Sequence, residues 1–306
     1  MAAGTIEIVE VAPRDGLQGE RVVTTEDKVE LVRRAVDAGV RRLEVVSFVN
    51  PTRVPQMADG AAVMAALNSP GAIAGRDRCS FAGLVLNARG LDAALDAGVD
   101  EIDVVVVVTD TYARQNQGRD TAGLIAAWHE IGRRARAAGV FSTVTLASSF
   151  GCPYEGEVPD ERFRAVLSEV MQVPPDELAL ADSIGVATPV DIRQRLAIAA
   201  ALAPDIALRC HLHNTRNTGL ANAVAAVEAG VRTLDASLGG IGGCPFAPDA
   251  TGNIPTEDLV YLLHRMGYET GIDLDRLCAS VSFVADVVGH EVPGLLSKAG
   301  NFPPRR

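Results

Sequence analysis

The sequence predicts an α/β fold of the (β/α)8 TIM-barrel class with extra C-terminal helices. Three observations carry this: a recurring helix-to-strand joint, a series of apolar runs separated by helical patterns, and a core composition poor in aromatics. The joint is Ala-Gly-Val, at Ala38-Gly39-Val40, Ala97-Gly98-Val99, Ala138-Gly139-Val140 and Ala229-Gly230-Val231. Each closes an Ala-rich helical stretch, and an apolar run follows. Glycine just past a helix takes the left-handed conformation that ends it, and a β-branched run after it reads as a buried parallel strand. Apolar residues are 48% of the chain but aromatics only 4%, so the core is built from Ala, Val, Leu and Ile.

Taken in order, the expected strands are residues 6–11, 42–46, 79–84, 101–107, 142–147, 177–181, 207–212 and 233–238. Helical patterns fill the gaps, among them 25–38, 121–138, 189–203 and 218–229. Eight such units in about 265 residues fit one barrel. An open doubly wound sheet would want G-x-G-x-x-G after the first strand, where the chain has Ala12-Pro13-Arg14-Asp15-Gly16. No Ser/Gly/Pro-rich linker divides the 306 residues, so one domain is expected, with the barrel over about 5–270 and a helical extension over about 271–306.

Net charge is −11, which disfavours nucleic acid or an anionic membrane face as partner. The longest aliphatic run, residues 104–108, is far too short for a membrane span. Five cysteines without a C-x-x-C make a disulfide framework improbable. With no signal-peptide pattern at residues 1–10, the expected compartment is the cytoplasm. The expected partner is a small molecule, and homo-oligomerisation stays open.

In a barrel, chemistry sits at the C-terminal strand ends. Polar residues there are Arg14, Asp15 and Gln18 after the first strand, Glu44 and Ser47 on the second, Asp182-Ser183 on the sixth, and His211-Leu212-His213-Asn214 on the seventh. Asp235 lies on the eighth, before Gly239-Gly240-Ile241-Gly242-Gly243-Cys244-Pro245, and Asn253 follows. His-x-His at a strand end is the sharpest signal, because side chains i and i+2 face one way and both imidazoles reach one point. With Asp15 and Asn253 offering oxygens and no thiolate, the donors suit Mg2+ or Mn2+, with zinc also compatible. Glu44, Asp103 and Asp235 each stand four residues after a joint valine. Each reads equally as a lumen-facing acid or as a structural carboxylate, and Asp103, with no site feature beside it, is assigned to structure. Cys244 sits in a glycine-rich segment that could close as a lid and place a thiol near the metal as proton donor. Cys152 is assigned to packing. Lys28 and Lys298 are the only lysines, and neither lies on an expected strand, so Schiff-base chemistry is nearly excluded and carbon–carbon cleavage would need a metal.

These residues resemble the 3-hydroxy-3-methylglutaryl-CoA lyase family. The resemblance lies in Val9-Glu10-Val11-Ala12-Pro13-Arg14-Asp15-Gly16-Leu17-Gln18, in Ser47-Phe48-Val49 with Val54-Pro55-Gln56-Met57-Ala58-Asp59, in Gly151-Cys152-Pro153-Tyr154-Glu155-Gly156, in Asp182-Ser183-Ile184-Gly185, and in Gly242-Gly243-Cys244-Pro245-Phe246 leading to Thr256-Glu257-Asp258-Leu259-Val260-Tyr261. It spans about residues 5–270. It implies a metal-dependent TIM barrel that cleaves 3-hydroxy-3-methylglutaryl-CoA to acetyl-CoA and acetoacetate. By the same resemblance Asp15, His211, His213 and Asn253 bind the cation, Arg14 stabilises the thioester enolate and Cys244 does acid–base work. Glu44 and Asp182 fall on functional acidic positions and Gln18 lines the site. His211 reads as ligand or as base. The chain departs from the family at Asn214-Thr215-Arg216-Asn217-Thr218-Gly219, where Asp-Thr-Tyr-Gly-Gln-Ala is familiar, and at Arg53, where Trp is familiar. Arg53 and Arg216 would hold the CoA phosphates or read a different acyl carboxylate. A related 3-hydroxyacyl-CoA, such as citramalyl-CoA or an isoprenoid-extended glutaryl-CoA, is therefore the alternative substrate. A Claisen-type synthase of the same superfamily would carry Arg-Asp-Gly-Glu-Gln instead of Arg14-Asp15-Gly16-Leu17-Gln18. A barrel serving only as a scaffold would not need Asp15, His211, His213, Asn253 and Cys244 together.

Overall fold

The computed structural model describes residues 4–243 and 252–303. Eight parallel strands close into a barrel: β1 (Glu7–Glu10), β2 (Arg42–Ser47), β3 (Ser80–Leu84), β4 (Glu101–Val107), β5 (Phe141–Ala147), β6 (Glu177–Asp182), β7 (Ala207–Leu212) and β8 (Thr233–Ala236). Neighbours in sequence are neighbours in the sheet, and β8 pairs with β1 through Glu7↔Thr233 to Glu10↔Ala236. The expected strands agree to within two residues at each end.

The surrounding helices are α1 (Thr25–Asp37), α2 (Gly60–Leu67), α3 (Ala88–Ala97), α4 (Asp110–Gln117), α5 (Thr121–Ala138), α6 (Asp160–Val170), α7 (Pro189–Leu202), α8 (Gly219–Glu228) and α9 (Thr256–Arg265), followed by the C-terminal α10 (Leu274–Val288) and α11 (Leu296–Ala299). Their starts are written in the sequence. Thr24 accepts the Asp27 N–H, Asp120 accepts the Gly123 N–H, and Thr188 and Asp191 form a reciprocal capping box at α7. Their ends are too: Gly98 and Gly139 cap α3 and α5 in the left-handed conformation, at φ 73° and 69°. No helix among the described residues is long and apolar enough to cross a membrane.

The core is aliphatic, as the composition requires. β2 and β6 are buried along their whole length, so both their faces are covered, one by the helices and the other by the barrel interior. A two-stranded ribbon of Gly151–Cys152 with Gly156–Glu157, which periodicity does not reveal, follows β5. Cys152 is buried in it, and its sulfur accepts the Tyr154 and Glu155 N–H groups.

Candidate metal centre and substrate cavity

The loops beyond the strands' C-terminal ends surround a cavity of about 650 Å3. Directly after β1, Ala12–Gly16 forms a single π-type turn that sets Arg14 and Asp15 side by side and buried. A Cβ on Gly16 would stand 2.8 Å from Ile241 Cγ1, so only glycine lets the segment after β8 lie across this turn. Gly242, at φ 102°, completes the fit: a Cβ there would lie 2.7 Å from Asn253 Nδ2 and 2.9 Å from the Asp15 carbonyl.

Alternation on β7 puts His211 and His213 on one side. Beyond the strand, an isolated bridge pairs His213 with Asn253. It is held by Asn214 N donating to Gly252 O at 3.1 Å and Ile254 N to Leu212 O at 3.1 Å. Asn253 is thereby fixed beside the histidines, and its Nδ2 donates to Asp15 Oδ2 at 2.8 Å. Ligand atoms of Asp15, His211 and His213 all fall within 4.8 Å of one another. The two Nε2 atoms are 3.1 Å apart. Asn253 Oδ1 is buried without a hydrogen-bond partner among the described residues. Two imidazole nitrogens and a carboxylate converging within 4.8 Å fit a divalent cation, and Asn253, with its spare amide oxygen, stands beside them.

The electrostatics agree. Burial works against a charged Asp15, but Arg14 and the two imidazoles outweigh it and hold its carboxyl below the usual value. Burial, with His211 alongside, pushes His213 down to about 3, which keeps that imidazole neutral. Asp235 also resists burial: Arg209 and His211 hold it at about 2. His211 Nδ1 lies 2.9 Å from Asp235 Oδ2. An anionic acceptor there requires the proton on Nδ1, so the Nε2 of a neutral His211 presents its lone pair to the cluster.

Arg14 lies against this centre. Its Nη1 donates to Asp15 at 2.8 Å and its Nη2 to Glu44 at 2.6 Å, while Nε has no partner among the described residues. Gln18 donates to Asp15 at 2.9 Å. Burial pushes Glu44 up to about 7, Asp103 adding to the effect and Arg14 opposing it. Ser47, with an unpartnered hydroxyl, and the exposed Arg53 line the cavity.

Two expected site residues face elsewhere. The Asp182 carboxylate accepts the Val186 and Ala187 N–H groups at 2.9 and 3.0 Å, so it shapes the loop after β6 and does not line the cavity. Arg216 donates to the Ile184 and Gly185 carbonyls of that same loop, at 2.9 and 3.1 Å. Cys244 lies outside the described residues. Conversely, Asp103, which the sequence assigns to structure, lines the cavity and accepts from Thr145 Oγ1 at 2.9 Å. Thr145, two residues beyond the register partner Thr143 on β5, was the missing signal, because alternation turns it to the same interior. Asp235 and Arg119 also line the cavity.

A closed parallel barrel whose C-terminal cavity carries a two-histidine, one-carboxylate cluster able to hold a metal ion defines the class: a TIM barrel with a candidate metal centre. The HMGL-like family matches residues 5–284. The chain is 41% identical to the (R)-citramalyl-CoA lyase of Chloroflexus aurantiacus, over 98% of this chain and 96% of that protein. It is 34% identical to the hydroxymethylglutaryl-CoA lyase of Bacillus subtilis, over 94% and 95% respectively. The structure of an HMG-CoA lyase from Acinetobacter baumannii in complex with coenzyme A and 3-methylmalate superposes with a TM-score of 0.91, at 35% identity over 99% of this chain and 97% of that one. The chain belongs to the HMGL-like family and is a lyase of this type.

Proposed function

We propose that the protein is a divalent-metal-dependent carbon–carbon lyase for a branched 3-hydroxyacyl-CoA with a free carboxylate. Citramalyl-CoA stands ahead of 3-hydroxy-3-methylglutaryl-CoA as its substrate. The carrying observation is the convergence of Asp15, His211 and His213 within 4.8 Å, next to a buried arginine with a spare N–H. The order of substrates rests on the higher identity to the citramalyl-CoA lyase, 41% against 34%. Mg2+ or Mn2+ is the proposed ion, held by Asp15, His211, His213 and Asn253. Such an ion, once bound, would lower the pKa of the substrate hydroxyl.

The residues divide the remaining work. The carbinol hydroxyl gives up its proton to a base of the site and becomes the carbonyl of the keto-acid product; the bond between the carbinol carbon and the thioester α-carbon breaks, and its electron pair passes into the thioester enolate. Arg14 faces that developing charge with a guanidinium that stays protonated at any working pH. Its pairing with Asp15 and Glu44 fixes it before substrate arrives, so little reorganisation is needed. Glu44, buried behind Arg14 and titrating near neutrality, is suited to hold a proton that the site must move. A proton returns to the enolate carbon to give acetyl-CoA, and Cys244 is proposed as its donor on the strength of the motif alone. Gln18 and Ser47 line the acyl end, and Arg53 reaches for the CoA phosphates.

A panel of 3-hydroxyacyl-CoA thioesters, scored separately for pyruvate and acetoacetate release, tests the reading. Citramalyl-CoA should give pyruvate and acetyl-CoA, and His213→Ala should lose both the metal and the turnover. Faster acetoacetate release from the glutaryl thioester would reverse the substrate order. Full turnover in metal-free wild-type protein would overturn the mechanism.

A further inference from the structure

The lower half of the barrel interior holds ionised side chains that the lyase reading does not use. On β2, Arg42 Nε donates to Glu101 at 3.0 and 2.8 Å, and its Nη1 and Nη2 donate to Glu177 at 2.9 and 2.8 Å. Its Nη1 also reaches Glu7 at 3.2 Å. On β7, Arg209 Nη1 lies 3.6 Å from Glu177 Oε2, and its Nε donates to Asp235 Oδ1. Asp235 in turn meets His211. The chain of contacts therefore runs Glu7, Arg42, Glu177, Arg209, Asp235, His211, from the lower mouth to the candidate metal centre. Arg42 and Arg209 are equally sheltered, at 5% and 2% exposure, but only Arg209 touches Asp235.

The Asp235 carboxylate is thus divided between two elements of one apparatus, one oxygen on Arg209 and the other on His211. A carboxylate torsion is broad and two-fold when nothing holds it. Arg209 removes that freedom, since its planar group binds Asp235 and is itself steadied by Glu177. A fixed Asp235 oxygen then fixes both the ring plane and the tautomer of His211. Alternation sets residues 209, 211 and 213 on one side of β7, so the clamp and the ligands share one strand.

We propose that Arg209 is a positioning residue for the metal centre, acting through Asp235 to aim His211 Nε2 at the point shared with His213 and Asp15. This rests on the metal reading given above. The test titrates wild-type, Arg209→Gln, Arg209→Lys and Arg42→Gln proteins with Mn2+, follows thermal unfolding of each, and records the histidine Nδ1–H resonance of His211 by NMR without metal. Arg209→Gln should weaken Mn2+ binding roughly tenfold and shift or broaden the His211 Nδ1–H signal. Arg209→Lys should recover part of both. Arg42→Gln should lower thermal stability at least as much and leave both readouts at wild-type values. Wild-type Mn2+ affinity and an unmoved His211 signal in Arg209→Gln would overturn the proposal. So would equal losses in Arg42→Gln, which would mark both arginines as merely structural. If Arg209→Gln does not fold, Arg209→Lys against Arg42→Lys decides by the same criterion. If wild-type protein binds no Mn2+, the metal reading itself fails, and the NMR arm still decides whether Arg209 orients His211.

Discussion

Ionised side chains occupy both ends of the barrel interior, but they are paired to different degrees. At the N-terminal end, Arg42, Glu101 and Glu177 satisfy one another, and none of their buried polar atoms lacks a partner among the described residues. At the C-terminal end, Arg14 Nε, Glu44 Oε1, Ser47 Oγ, His213 Nδ1 and Asn253 Oδ1 are all buried and have no partner among the described residues. Burying a polar group without a partner costs roughly 1–3 kcal/mol. A set of such groups in one place is kept where a ligand completes them, whereas the lower set is complete without one. Substitutions at the two ends should therefore fail in different ways.

The largest effect is expected at Arg14. Arg14→Met should lower kcat by roughly a thousandfold, the scale of removing a transition-state donor, with a smaller change in KM. Steady-state kinetics checks this, and a loss seen mainly in KM would move Arg14 from enolate stabilisation to ground-state binding. At the other end, Arg42→Gln strands Glu101 and Glu177 in the core. About 3–5 kcal/mol of stability should go, the usual penalty for breaking a buried pair, with kcat per folded molecule retained. Denaturant unfolding measures the first and active-site titration the second, and a fall in kcat without unfolding would erase the distinction between the two ends.

Glu10 sharpens the comparison through pH. It accepts the Ala12 and Leu238 N–H groups at 2.9 Å each and the Thr256 hydroxyl at 2.7 Å, fastening the Arg14 turn to β8 and α9. Burial outweighs these donors and raises it to about 7. A folded pKa above the unfolded value favours folding at low pH, so this contribution is complete below about 4.5 and lost as pH rises to about 7. Glu10→Gln should flatten that part of the stability profile and gain up to about 3 kcal/mol at pH 8 relative to pH 4. Parallel profiles for the two proteins would assign the slope to other groups. The smallest effect is expected at the cavity mouth. Arg53→Ala should raise KM for full CoA thioesters roughly tenfold, as for a lost charge-assisted contact, and spare pantetheine analogues. Arg216→Ala, whose guanidinium serves the loop carbonyls, should treat both alike.

The barrel was legible because each βα unit repeats the same local physics: a glycine that ends a helix and a β-branched run that must be buried. His211 and His213 were legible for the same reason, since strand alternation converts spacing into direction. Asn253 was named from the sequence as an oxygen donor, but spacing did not show what brings it to His213, a one-residue bridge beyond β7. Asp182 and Arg216 mark the limit. Both were expected in the site, but a loop carbonyl or amide competes for a polar side chain near every strand end, and composition does not report the winner. Arg209 could have been found: it stands two residues before His211 on a predicted strand, and an arginine there must face the same interior.

The candidate metal centre joins distant parts of the chain. Asp15 and Asn253 are 238 positions apart and touch only because β8 has found β1. That pairing closes the longest loop in the barrel, the most demanding contact in entropy. During synthesis, then, a chain that has made seven strands has most of its core and both histidines but no complete cation site. Occupancy of the site thus reports that the circle of strands is finished. An ion held there would resist reopening of the β1–β8 seam, acting as a latch on the last step of assembly without guiding the earlier ones.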